Sequence, residues 1–227
     1  MRPWTCPRFT AMPGSPAVAD GVVYIGSNDH VLYAFAAGGC GSATCAPLWA
    51  GPTGSSITAS PAVSNGVVYI GSFDHNLYAF SAAGCGAATC APLWKAEAGD
   101  SIESSAAVAY GMVFVGADDD LLHVFNANGC GQPTCSVLWE GIATGEQAAI
   151  ISSPMVAHGV VYYGENNGQV LGFNVKGCGN LVCSPLFTGL TMNEQIVSSS
   201  PALVNGTLYF GSANQLFPLV GRLYVFQ

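Results

Sequence analysis

One stretch of this sequence occurs twice, almost unchanged. Residues 15–46 read SPAVADGVVYIGSNDHVLYAFAAGGCGSATCA, and residues 60–91 read SPAVSNGVVYIGSFDHNLYAFSAAGCGAATCA. The unit returns in weaker form from Ser105, Ser153 and Ser200, with start-to-start spacings of 45, 45, 48 and 47 residues. A period in this range means stacked supersecondary units, each too small to bury its own apolar face. All 227 residues are therefore read as one array forming a single domain, with repeats starting near 15, 60, 105, 153 and 200.

Each unit carries four short strand signals separated by turn chemistry. In the first unit they fall at residues 16–19, 22–26, 32–36 and 47–50. The first two strands are joined by Asp20-Gly21, Asn65-Gly66, Tyr110-Gly111, His158-Gly159 and Asn205-Gly206 in successive units. Glycine stands second each time, where a type I′ hairpin needs positive φ. A four-stranded antiparallel meander that repeats without helical periodicity predicts an all-β fold, a β-propeller of about five blades. A β-solenoid is the alternative, although its repeats are generally shorter. Trp49, Trp94, Trp139 and Phe187 hold one equivalent place in the fourth strands, and their recurrence predicts rings packed between blades rather than stacked on a ligand.

Eight cysteines form four C-x4-C pairs: Cys40 and Cys45, Cys85 and Cys90, Cys130 and Cys135, Cys178 and Cys183. Each pair brackets the link between the third and fourth strands. Residues facing each other across a tight hairpin lie within disulfide reach, so four local disulfides are expected as staples on the blade rims. A four-thiolate zinc site would need two pairs to converge, but neighbouring blades carry one pair each. A redox dithiol would use C-x-x-C once rather than in every repeat. Disulfides in every unit imply an oxidising compartment, extracellular or periplasmic.

Cys6 is the ninth cysteine. Aligning residues 5–9 with residues 44–49, with one deletion, makes residues 6–10 a lone fourth strand and places the partner of Cys6 at Met1. Residues 223–226 match a third strand. Two arrangements fit: a closed five-bladed ring with residues 7–10 beside residues 223–226, or the C-terminal part of a larger propeller whose upstream sequence continues in frame. The register of Cys6 and the mid-repeat start favour the second.

Charged residues make up only 8% of the chain, and 13 acids outweigh five cations for a net charge of −8. Five scattered cations cannot track a phosphate backbone, which excludes nucleic acid as a partner. No apolar run is long enough for a membrane helix, and residues 1–10 show no signal-peptide core.

The motif SPAV-x-x-G-VVY-I-G-S-x-D, followed by LYAF and then a tryptophan, resembles the PQQ-like (pyrroloquinoline-quinone-type) propeller repeat over essentially the whole chain. That family includes quinone-dependent alcohol and sugar dehydrogenases, an outer-membrane assembly lipoprotein and secreted propellers. The usual Thr-Gly turn before the tryptophan is replaced here by residues 40–45. The adjacent-cysteine pair and the Glu/Asn/Asp calcium set that mark catalytic members have no counterpart in this sequence. Quinone and calcium are therefore not expected from the resemblance.

Asp29-His30, Asp74-His75, Asp118-Asp119-Asp120 and Asn166-Asn167-Gly168 occupy equivalent turns. Gly168 marks His30, His75 and Asp120 as occupants of a glycine position, which is ordinary turn chemistry. Asp118, Asp119 and Asp120 are the best calcium candidates if a metal binds. The blade-to-blade loops hold Glu97, Asp100, Glu103, Glu140, Glu146 and Glu194, and Ser60, Ser105, Ser153 and Ser200 should face a central channel. His30, His75, His123 and His158 follow repeat position, so no Ser/His/Asp or Cys/His set assembles. The expectation is an extracytoplasmic scaffold that binds a protein or carbohydrate through these loops. A fragment of a quinone-dependent dehydrogenase is the alternative.

Overall fold

A computed structural model describes residues 4–7, 9–142, 148–191, 199–213 and 221–226. Among these, all regular structure is strand. The first sheet pairs Ala17–Ala19, Val22–Ser27, Val31–Ala36 and Trp49–Pro52, antiparallel and in that order. The second repeats it with Ala62–Ser64, Val67–Gly71, Asn76–Ser81 and Trp94–Glu97. The third uses Ala107–Ala109, Met112–Gly116, Leu121–Asn126 and Trp139–Ile142, and the fourth uses Met155–Ala157, Val160–Gly164, Gln169–Asn174 and Phe187–Leu190. The last sheet has three strands, Ala202–Val204, Thr207–Ala213 and Gly221–Phe226. First strands of consecutive sheets are neighbours among blades one to four, so the sheets stand as propeller blades around an axis. The fourth strands begin two residues later than the sequence suggests, at the ring itself.

Both turn types follow the expected backbone. The hairpin positions Asp20, Asn65, Tyr110, His158 and Asn205 have φ of 48–53°, and each is followed by a glycine with positive φ. His30, His75 and Asp120 have φ of 72°, 67° and 69°, beside 87° at Gly168. They do fill a glycine position.

The apolar cores lie between blades. One joins Tyr24, Leu32 and Trp49 of blade one to Val68, Tyr78 and Phe80 of blade two. The next joins Tyr69, Leu77 and Trp94 to Val113, Val115 and Phe125, and a third joins Phe114 and Trp139 to Tyr163 and Phe173. Trp49, Trp94 and Trp139 are each buried against the next blade, as their recurrence predicts, while Phe187 is half-buried. Trp49 Nε1 and the Tyr24 hydroxyl both donate to the carbonyl of Ala82, at 3.3 and 2.9 Å. A Cβ on Gly84 would stand 2.6 Å from Trp49 Cδ1, and Gly84 has φ of 76°. Glycine is thus required twice over where the indole docks.

The disulfide loops do more than staple a rim. In each unit a cystine joins Cys40 to Cys45, Cys85 to Cys90, Cys130 to Cys135 and Cys178 to Cys183. The link is not a tight hairpin, since Ala34 already pairs with Trp49 and residues 37–48 leave the sheet. They reach back to the preceding blade. Thr134–Cys135 pairs parallel with Lys95 and Ala96, and Val182–Cys183 with Glu140 and Gly141. Single bridges do the same for Thr89 with Ala50 and Thr44 with Thr5. The loop of one blade therefore covers the outer edge of the one before, where unpaired strand groups would otherwise be exposed.

This geometry corrects the register of the N-terminal segment. Thr5 donates to the Ala43 carbonyl at 2.9 Å and accepts from Cys45 N at 2.8 Å, as Ala50 does with Ala88 and Cys90. Trp4 lies against Gly39 as Trp49 lies against Gly84. Residues 4–7, WTCP, therefore match residues 49–52, WAGP, and no deletion is needed. Cys6 takes the place of Gly51, so its sequence register does not call for a partner at Met1, a residue outside the described ones. Of the expected strand at residues 6–10, the described residues Cys6, Pro7, Phe9 and Thr10 are not in a strand, and residue 8 lies outside the described ones. Phe9 stacks on Tyr33 at 4.1 Å, and among the described residues no bridge joins residues 4–7 to Gly221–Phe226.

Truncating an interblade ring should cost far more than truncating its neighbour. Trp94→Ala is expected to lower unfolding free energy by ~3–5 kcal/mol. Leu93→Ala, at a half-exposed position, should stay within ~0.5 kcal/mol in urea titrations. Replacing Cys85 and Cys90 together by serine should cost about 2 kcal/mol, the constraint expected of so short a loop.

Candidate functional site

Length variation in the repeats is confined to one face. Ser15 to Trp49, Ser60 to Trp94, Ser105 to Trp139 and Ser153 to Phe187 are each 34 residues apart. From the ring to the next axial serine the separations are 11, 11, 14 and 13 residues. These extra residues lie in the blade-to-blade loops, which share a face with the turns between second and third strands; the fifth unit is longer in that turn itself, with Gly211 pairing Leu223 where Gly26 pairs Leu32. Loops on a rigid scaffold are where recognition residues concentrate.

In the first three units the aspartate just before the left-handed position, Asp29, Asp74 or Asp119, fastens its turn to the surroundings. Tyr33 donates to Asp29 Oδ2 at 3.0 Å, and Asp74 Oδ2 takes the Tyr78 hydroxyl and Gly54 N. In blade three the partner is His123, buried, with Nε2 2.9 Å from Asp119 Oδ2 and Nδ1 3.4 Å from Glu140 Oε1. Burial alone would raise the Asp119 carboxyl. The hydrogen bond and charge of His123, with N–H groups of Leu121 and Gly99, outweigh it and hold the pKa below its ordinary value.

Asp118 behaves in the opposite sense. Burial, then the charges of Glu103, Asp100, Asp119 and Asp120, push its carboxyl up to about 6. Asp120 is also raised, by burial and then by Asp119. The structure thus places Asp118, Asp119 and Asp120 in one turn but gives them different tasks. Among the described residues, no three His, Cys, Asp or Glu side chains converge as a metal-holding group. Of the loop acids, Asp100 lies 3.5 Å from His75, and Glu140 belongs to strand Trp139–Ile142 and faces His123. Glu97 ends a strand, while Glu146 and Glu194 lie outside the described residues.

At the axis, Ser15, Ser60, Ser105, Ser153 and Ser200 line a single cavity of about 510 Å³. Four of them form a staircase. Ser15 N donates to Ser60 Oγ at 2.9 Å, Ser60 N to Ser105 Oγ at 3.0 Å, and Ser105 N to Ser153 Oγ at 3.1 Å. One layer above stand Pro13, Thr58, Glu103 and Ile151. The preceding serine in later repeats has a separate role that the sequence reading missed. Ser104 Oγ donates to the Gly116 carbonyl and accepts from Gly116 N, both at 2.8 Å; Gly164 N donates to Ser152 Oγ at 2.7 Å, and Gly211 N to Ser199 Oγ at 3.0 Å. The doublets Ser104-Ser105, Ser152-Ser153 and Ser199-Ser200 carry this signal in plain sight.

Glu165 was also missed. It stands where Ser27 and Ser72 stand in earlier repeats, fully buried, with Oε1 meeting no partner among the described residues and Oε2 accepting from Asn167 Nδ2 at 3.1 Å. Burial chiefly raises its pKa to about 8; the Asn167 hydrogen bond works against the shift, and the charge of Asp120 adds to it. The buried Tyr163 hydroxyl is raised as well, by burial and then by Glu165. The folded chain keeps the Glu165 proton to higher pH than the unfolded chain does, so stability should fall as pH rises from about 4.5 through 8. Glu165→Gln is expected to flatten that decline and to raise unfolding free energy at pH 8 by ~1–3 kcal/mol, with little change at pH 4.5. Thermal melts of both proteins across this range measure it.

Similarity to known proteins fits this geometry. Among solved structures, the computationally designed Ika8 protein superposes with a TM-score of 0.66 at 18% identity, covering 87% of this chain and 54% of that one. BamB from Moraxella catarrhalis superposes with a TM-score of 0.64 at 17% identity, covering 93% of this chain and 60% of that one. The chain thus spans less than two thirds of either structure, and at these identities the likeness shows the fold. No curated protein matches the sequence. Residues 42–218 match the family described as outer membrane protein assembly factor BamB. With that match covering most of the repeats, the chain belongs to this PQQ-like family of β-propellers.

Proposed function

We propose that the chain is an extracytoplasmic propeller scaffold, acting as one domain over residues 1–227, whose blade-to-blade loop face docks a protein partner without catalysis. The observation that carries this reading is the division of labour between the two faces. Cystines, tryptophans and glycines of the disulfide face are committed to joining blades, and its spacing does not vary. Loop length varies on the other face alone, and Asp29, Asp74, Asp100, Glu103 and Asp118 to Asp120 lie on that side, against Asp20 on the disulfide face. The family description, an assembly factor of the outer membrane, supports a role in holding a protein complex together. Four cystines support an oxidising location. No helix among the described residues is long and apolar enough to cross a membrane.

Nothing among the described residues favours the alternative, a quinone-dependent activity. Trp49, Trp94 and Trp139, which could stack under a quinone, are buried between blades, and the axial cavity offers serines and one carboxylate. Photo-crosslinking residues placed at Glu97 on the loop face and at Asn128 on the disulfide face separate the possibilities in the source organism's cell envelope. A discrete crosslinked protein is expected from Glu97 and none from Asn128. The reverse pattern, or recovery of the chain in the cytoplasmic fraction, overturns the reading.

A further inference from the structure

The axial cavity is chemically lopsided. The Oγ atoms of Ser60, Ser105 and Ser153 each spend one lone pair on the N–H of the preceding serine. Their own hydroxyl protons meet no acceptor among the described residues. A ligand seated here must therefore bring oxygen acceptors for a curved row of three donors. The layer above supplies the opposite need. Glu103 stands where the neighbouring repeats have Pro13, Thr58 and Ile151, and among the described residues lining the cavity it is the only charged one. It is half-buried and makes no hydrogen bond or ion pair with a described residue. Asp100 and Asp118 lie close enough for the Glu103 and Asp100 charges to act on the Asp118 carboxyl, so the mouth of the cavity is negative on one side. Lys95 and Lys176 do not line it.

Resting on the reading that the loop face docks a protein, we propose that this cavity receives a lysine of the partner. The ammonium is held by Glu103, and backbone carbonyls flanking the lysine accept from the hydroxyls of Ser60, Ser105 and Ser153. A peptide segment supplies both halves at once, whereas a polyamine supplies only the cation. An ammonium, with three freely turning donors, suits one carboxylate beside hydroxyl oxygens. A guanidinium fork is built for a bidentate carboxylate in a fixed plane. At about 510 Å³ the cavity has the volume of an ordinary small-ligand site, enough for one side chain and its backbone. Only blade three carries the carboxylate, so the lysine enters in one orientation around an otherwise near-symmetric ring.

Amide spectra of the full chain, titrated with the end-blocked peptide Gly-Gly-Lys-Gly-Gly, test this directly. Saturable shifts are expected at Ser60, Glu103, Ser105 and Ser153. They should vanish when the lysine is acetylated, and Glu103→Gln should weaken binding roughly tenfold or more, the loss expected with a charged partner. An unchanged remainder of the Glu103→Gln spectrum shows the fold intact. Shifts elsewhere, equal binding by Glu103→Gln, or tighter binding of putrescine or glucosamine than of the peptide overturns the lysine site. The crosslink at Glu97 keeps the two ideas apart. If it forms equally in the wild type and in Glu103→Gln, the docking face stands and the lysine site falls. If the peptide binds but no crosslink forms at Glu97, the docking face falls.

Discussion

Everything in this propeller depends on how one blade is fastened to the next. A four-stranded sheet has two apolar faces and one exposed outer edge, and cannot be stable alone. Here the ring that starts the fourth strand covers a face of the next blade, and the next blade's cystine loop returns to cover the edge. The contact is reciprocal and recurs: Trp49 under Gly84, Trp94 under Gly129, Trp139 under Gly177. Because each loop pairs through its backbone, its shape must be held while its side chains are free to differ. A cystine across a five-residue separation does this without needing a core of its own.

That requirement explains the constant 34-residue distance from axial serine to ring. Any insertion there would shift the loop out of register with its neighbour's fourth strand. The other face carries no such constraint. Its loops are tied by interactions that adapt to length: an isoleucine wedged on a bare glycine, as Ile102 on Gly71, and an aspartate holding the turn. Variation accumulates where the fastening permits it, and a surface able to differ from blade to blade follows.

The repeat, the hairpin turns, the left-handed histidines and the packing of the tryptophans were legible because each is a local rule written several times. The N-terminal register was misread for an instructive reason. Aligning Cys6 with Cys45 gave weight to a shared residue type, whereas Trp4 lies one full 45-residue period before Trp49 and sets the true frame. Backbone pairing between blades was not legible, since it involves loop atoms with no side-chain signature. The roles of His123 and Glu165 were hidden for the opposite reason. Each is a single departure from the repeat, and a departure shows that something differs without showing what surrounds it.

Those departures gather in one part of the array. Glu103, Asp118 and His123 belong to the third unit, and Tyr163 and Glu165 to the fourth, where earlier units have apolar, small or hydroxyl-bearing residues. A buried unpaired carboxyl and crowded acids both cost stability, and a repeat that merely stacked would have no use for either. The same serine staircase that ties the first strands together lines the cavity with hydroxyls that meet no acceptor among the described residues. A structural necessity of the axis, satisfying backbone N–H groups between strands that do not pair, thus creates a polar site. The acidic departures then make that site, and the face around it, unlike any other sector of the array.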